Sequence, residues 1–102
     1  MIRVVAIVTA KPGRREELLK LFRANMPAVH AEDGCVEYAP FVDAQGCESF
    51  QTPVGPDAFV VLETWASVEA LNAHRAAPHM LAYGKASKEL IAGRKIHVFG
   101  NA

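Results

Sequence analysis

An α+β fold built on one antiparallel sheet is what this 102-residue sequence predicts, on three observations. Runs rich in β-branched and aromatic residues fall at 2–9, 35–42, 58–65 and 94–99. Between them, two longer stretches carry apolar residues at helical spacing. The order is therefore strand, helix, strand, strand, helix, strand.

Each element has a local cause. Ile2 to Thr9 is almost wholly apolar, which reads as a buried strand ended by Lys11-Pro12-Gly13. From Arg14 to about Glu32, the residues Leu18, Leu21, Phe22, Met26 and Val29 form one helical stripe. Glu16 and Glu17 sit where the helix dipole favours negative charge. Pro27 is expected to kink or split that helix. Asp33-Gly34 ends it, and Cys35 to Val42 follows as a strand that Pro40 assigns to an edge or bulge. The stretch Asp43 to Asp57 is too long for a tight hairpin, with Ser49-Phe50-Gln51 as a possible short strand extension. Ala58 to Trp65 is the third strand. Ser67 is a suitable N-cap for a short helix through His74. Pro78 fits the first turn of another helix running to about Ile91. Gly93 is expected to close it before a last strand, Arg94 to Phe99. The order β-α-β-β-α-β is the ferredoxin-like arrangement, with its second helix broken in two.

The length fits one domain over residues 1–102, and 51% hydrophobic residues are enough for a core. With 11 basic and 11 acidic residues and no basic run, nucleic acid is not an expected partner. No apolar run approaches the roughly 20 residues of a membrane span, and the first run lacks a cleavage region, so a cytoplasmic protein is expected. Cys35 and Cys47 have no metal-type spacing and are expected to be free thiols.

Strand alternation adds a constraint. Phe59, Val61, Glu63 and Trp65 face one way, and Val60, Leu62 and Thr64 the other. The first strand is apolar on both faces as well. Helices cover only one face, so a second copy packed sheet against sheet is expected on the other, giving a homodimer.

Chemistry-bearing residues concentrate in Glu63-Thr-Trp65 and in the broken helix carrying His74 and His79. Glu63 lies among apolar neighbours, so it has a partner or faces a cavity. Trp65 reads equally well as core. Each histidine alone could be a capping or surface residue; two around a helix break, near a buried carboxylate, point to a site. Five residues across a proline do not place His74 and His79 on one helical face, and no third ligand beyond Glu63 is evident, so no metal is expected. There is no Gly-rich phosphate loop and no GxSxG.

Glu32-Asp-Gly34-Cys35-Val-Glu-Tyr38-Ala-Pro40, Asp43, Ser49-Phe50-Gln51, Pro56-Asp57, Glu63-x-Trp65, Ala73-His74 and Pro78-His79-Met80-x-Ala82-Tyr83 together resemble the antibiotic biosynthesis monooxygenase domain. Within it, the small bacterial quinol monooxygenases are the nearest likeness. The resemblance spans essentially the whole chain. It implies a dimeric α+β barrel and a pocket between sheet and helices, with Trp65, His74 and His79 at pocket-lining positions. It further implies oxidation of a quinol or phenol by O2 without flavin, haem or metal. Haem-degrading relatives carry tryptophan where this chain has His74 and an axial histidine about where it has Gly84, so haem degradation is not expected.

On this reading His74 or His79 is the base, because histidine is the side chain suited to proton transfer near neutral pH. Glu63 would orient or polarise it. Phe50, Trp65, Met80 and Tyr83 would form the pocket wall, and Tyr38 would hydrogen-bond a substrate oxygen. Two other functions fit less of the pattern. One is an isomerase or lyase acting on a phosphorylated carbonyl compound, anchored by Arg75 or Lys85. The other is a ligand-binding stress-response dimer without turnover.

Overall fold

A computed structural model describes residues 1–102. Its elements are β1 (Ile2–Ala10), α1 (Arg15–His30), β2 (Cys35–Phe41), β3 (Ala58–Trp65), α2 (Val68–Ala76), α3 (Pro78–Ser87), a 3-10 turn (Lys88–Leu90) and β4 (Ile91–Phe99). The four strands form one antiparallel sheet in the order β2-β3-β1-β4. This is the ferredoxin-like βαββαβ fold read from the sequence.

The pairing shows how alternation sorts the strands. Val4 faces Glu63, Ala6 faces Val61 and Val8 faces Phe59, and all six are buried under the helices. The intervening pairs, Val5 with Leu62 and Ile7 with Val60, lie on the opposite face and are half-buried. Ala39 and Phe41 of β2 extend that second apolar surface, because they pair with Leu62 and Val60. Leu18, Leu19, Phe22 and Val29 of α1 close the core on the helical side.

Several local expectations needed correction. Pro27 does not split α1; it sits in the last turn, where its missing N–H costs one hydrogen bond and the chain ends the helix soon after. Ser49-Phe50-Gln51 forms no strand but lies in turns, with backbone bonds from Phe50 and Gln51 to the Cys47 carbonyl. Gly93 does not terminate a helix. β4 already begins at Ile91, and the β1–β4 register shifts beside Gly93 at Thr9/Ala10. Pro40 does sit on an edge strand, where a missing donor is tolerated. No helix is long and apolar enough to cross a membrane.

Candidate active site

The break between α2 and α3 sets the geometry. The Ser67 hydroxyl accepts from the Ala70 N–H at 3.1 Å and starts α2. Ala77 is extended, and Pro78 opens α3 in the first turn, where its ring is compatible with a helix. His74 is thereby fixed in the last turn of α2 and His79 in the first turn of α3.

The turn after α1 supplies the group that joins them. Gly34 adopts φ +85°, and a Cβ there would lie 2.6 Å from the Ala70 Cβ, so only glycine lets this turn pack on α2. The Ala66 N–H donates to the Gly34 carbonyl at 2.8 Å and locks the approach. Glu32, two residues earlier, then reaches the helix break. Its Oε2 lies 2.8 Å from His74 Nδ1 and 3.1 Å from His79 Nε2. A carboxylate oxygen accepts, so each imidazole donates N–H to Glu32. His79 Nδ1 in turn accepts from the Asn25 side-chain amide at 3.2 Å. Both nitrogens of His79 are therefore engaged. His74 Nε2 makes no hydrogen bond within the chain.

The two rings occupy different places. The His74 side chain is 5% exposed, and the His79 side chain is 26% exposed. His74 lines a cavity of about 720 Å³ between the sheet and the helices. His79 lines a separate, shallow surface hollow with Leu21, Ala24 and Ala82.

Tyr38, Glu63, Met80 and Tyr83 share the larger cavity with His74. Tyr38 stacks on Phe22 at 5.1 Å between ring centroids and meets His74 edge-on at 5.4 Å. Burial pushes the Tyr38 phenol far above its usual range, and the Glu63 charge adds to the effect, so it is a neutral hydroxyl. Burial likewise pushes the Glu63 carboxyl up. Its hydrogen bond from Trp65 and the nearby His74 oppose that shift, whereas Glu32 adds to it. Burial also raises Tyr83, with the neighbouring Arg94 acting against it.

Trp65 is not a cavity wall. It is fully buried, its Nε1–H donates to Glu63 Oε1 at 2.9 Å, and its ring lies 4.6 Å from that of His74. It therefore supports both groups from behind. Truncating a fully buried tryptophan typically costs about 3–5 kcal/mol, much of the roughly 5–15 kcal/mol that holds a domain folded. Phe50 is 80% exposed in the β2–β3 connection and does not reach the cavity within the chain. Arg75 reaches the cavity wall, whereas Lys85 does not. Glu63, expected to orient or polarise the histidine base, makes no hydrogen bond to either histidine and acts on His74 through its nearby charge; Glu32 accepts the hydrogen bonds of His74 and His79. No group of three or more His, Cys, Asp or Glu side chains is placed to hold a metal ion. The Cys35 thiol, pushed up by burial and then by Glu32 and Glu63, is free, as is Cys47.

Sequence reasoning missed Glu32 and Asn25 as site residues. The Glu32-Asp33-Gly34 turn carried the one available signal, a carboxylate immediately before a glycine-dependent bend.

Comparison with known proteins agrees with this architecture. The family model described as "Antibiotic biosynthesis monooxygenase" matches residues 1–86. The chain is 41% identical over 90 residues to "Probable quinol monooxygenase YgiN" of Escherichia coli (strain K12), covering 86% of each. The structure of Rv0793 from Mycobacterium tuberculosis superposes with a TM-score of 0.79 at 28% identity, covering 99% of this chain and 94% of that one. PA3566 from Pseudomonas aeruginosa superposes with a TM-score of 0.80 at 26% identity, covering 99% of this chain and 93% of that one. The chain belongs to the antibiotic biosynthesis monooxygenase family.

Proposed function

We propose that this protein is a cofactor-independent monooxygenase that oxidises a quinol or related phenol with O2 in the 720 Å³ cavity, with His74 as the base. The observation that carries the reading is the asymmetric state of His74. Glu32 holds its Nδ1–H, leaving Nε2 as the free acceptor of a buried ring on the cavity wall. A carboxylate that fixes the tautomer and stabilises the imidazolium is the arrangement a general base requires. The name of the E. coli relative, a quinol monooxygenase, supports the same substrate class.

In the proposed reaction a phenolic proton passes to His74 Nε2. The phenolate gives one electron to O2, and the resulting radical pair joins to form a carbon–oxygen bond. The peroxide takes a proton from His74. Cleavage of its O–O bond with loss of water leaves one oxygen on the ring. The balance is quinol plus O2 to hydroxyquinone plus water, and the electrons come from the substrate. Tyr38 is the hydrogen-bond donor for an oxygen atom in the cavity, Glu63 lies beside it on the same wall, and Met80 and Tyr83 supply the apolar remainder. Exclusion of water by these walls protects the reactive intermediates.

The apolar face formed by Val5, Ile7, Val60, Leu62 and Phe41 is the proposed homodimer interface, packed sheet against sheet. Sedimentation is expected to show a dimer at micromolar concentration; a stable, folded monomer there refutes it.

The decisive measurement is oxygen uptake with a panel of reduced benzo- and naphthoquinols, with 18O2 used to trace the inserted atom. Enzyme-dependent uptake and one labelled oxygen in the product are expected. Uptake no faster than autoxidation sinks the proposal and favours a binding protein.

A further inference from the structure

The cavity has an unusual distribution of polarity. Its buried polar groups, Tyr38, Glu63 and His74, lie inside. Its exposed rim contains Val68 (51% exposed), Leu81 (64%), Ile96 (53%) and Val98 (54%). Val68 and Leu81 belong to α2 and α3, and Ile96 and Val98 to the edge strand β4, so these side chains border the opening from both sides. Ile96 pairs with Ala6 and Val98 with Val4, which places them on the same sheet face as the cavity floor. The buried hydrogen-bonding groups are inside, and four exposed apolar side chains stand with Asn72, Arg75 and Arg94 where the ligand would leave the protein.

We infer that the substrate carries an apolar chain on its ring: the hydroxyl-bearing head enters first, and the alkyl or alkenyl tail lies across Val68, Leu81, Ile96 and Val98 at the mouth. This rests on the proposed phenol oxidation for the position of the head. The volume supports the tail, since about 720 Å³ is within the range of cavities that enclose drug-sized ligands and exceeds what a lone aromatic ring fills. Continuity supports it as well, because the rim residues and His74 line one cavity. Arg75 and Arg94 flank the rim and form no ion pair in the chain, which makes an anionic substituent the competing ligand chemistry.

The test is a series of 1,4-naphthoquinols bearing no substituent, methyl, propyl, pentyl or heptyl at carbon 2, with a 2-carboxyl analogue. KM is expected to fall about two- to fourfold per methylene over the first few carbons, the range from half to full burial of each CH2. kcat is expected to hold nearly constant, because the tail binds equally in ground and transition states. Leu81→Gln and Ile96→Thr should flatten this gradient. Binding of the corresponding oxidised quinones, followed by calorimetry, reads the tail independently of turnover. If no quinol is oxidised but affinity still rises with chain length, the oxidation proposal falls and the tail assignment stands. If quinols are oxidised with no dependence on chain length, the reverse holds. A gradient unchanged by both rim variants overturns the assignment, as does tightest binding by the 2-carboxyl compound. A flat gradient with dimer dissociation in Leu81→Gln assigns the rim to a second copy instead and also overturns it.

Discussion

Glu32 Oε2 accepts from His74 on one side and from His79 on the other, at 2.8 and 3.1 Å. Residue type, helix termini and carboxylate partner are shared, yet the two imidazoles are not equivalent. His74 is buried in the wall of the larger cavity with one nitrogen free. His79 faces a shallow hollow with both nitrogens engaged, by Glu32 and Asn25. The comparison teaches that a base is defined less by its own chemistry than by which nitrogen its neighbours leave unoccupied.

The largest expected effect follows from removing the free nitrogen. His74→Ala should slow quinol oxidation by about 100-fold or more, the scale of a lost general base, with the fold retained. Single-turnover rates and melting temperature measured together check this; near wild-type turnover breaks the distinction. Glu32→Gln should come next, with a loss of about tenfold or more, because an amide holds His74 Nδ1–H but provides no charge to stabilise the imidazolium. A kcat that drops while substrate affinity stays constant identifies this effect.

Glu63 offers a pH test. Burial raises its folded-state pKa above the unfolded value, so the folded state holds the proton more tightly. The associated stability is fully present below the ordinary carboxylate range and is lost as pH rises through the raised folded value. In Glu63→Gln that loss disappears, and the amide oxygen still accepts from Trp65. Melting temperatures of the wild type and variant should therefore diverge with rising pH above the ordinary carboxylate range, the wild type falling relative to the variant. Divergence in the other direction contradicts a carboxyl disfavoured by burial.

His79→Ala should have the smallest effect on chemistry, less than about tenfold in kcat, because it removes one of two donors to Glu32 and no cavity group. A loss matching that of His74→Ala, without a drop in melting temperature, reassigns the base.

Much of this arrangement was legible in the sequence. Alternation gave β3 its exact span, Ala58 to Trp65, since both ends are set by adjacent turns. Ser67 and Pro78 marked their helix starts because capping is a short-range effect. His74 and His79 were singled out by the break between them. Glu32 escaped because its function depends on a contact 42 residues away, made through a turn whose close packing on Ala70 has no periodic signature. Trp65 escaped in another way. A tryptophan beside a site lines it or backs it, and only its direction at the end of β3 separates the two. Phe50 lies in a 16-residue connection between Phe41 and Ala58, where alternation gives no direction to a side chain.

Trp65 is the chain's single tryptophan, and its ring lies against His74. An imidazolium quenches a neighbouring indole more strongly than neutral imidazole does. The protein therefore carries its own optical gauge of the proposed base: each proton that His74 takes up should dim the emission, without any dye, label or coupled assay.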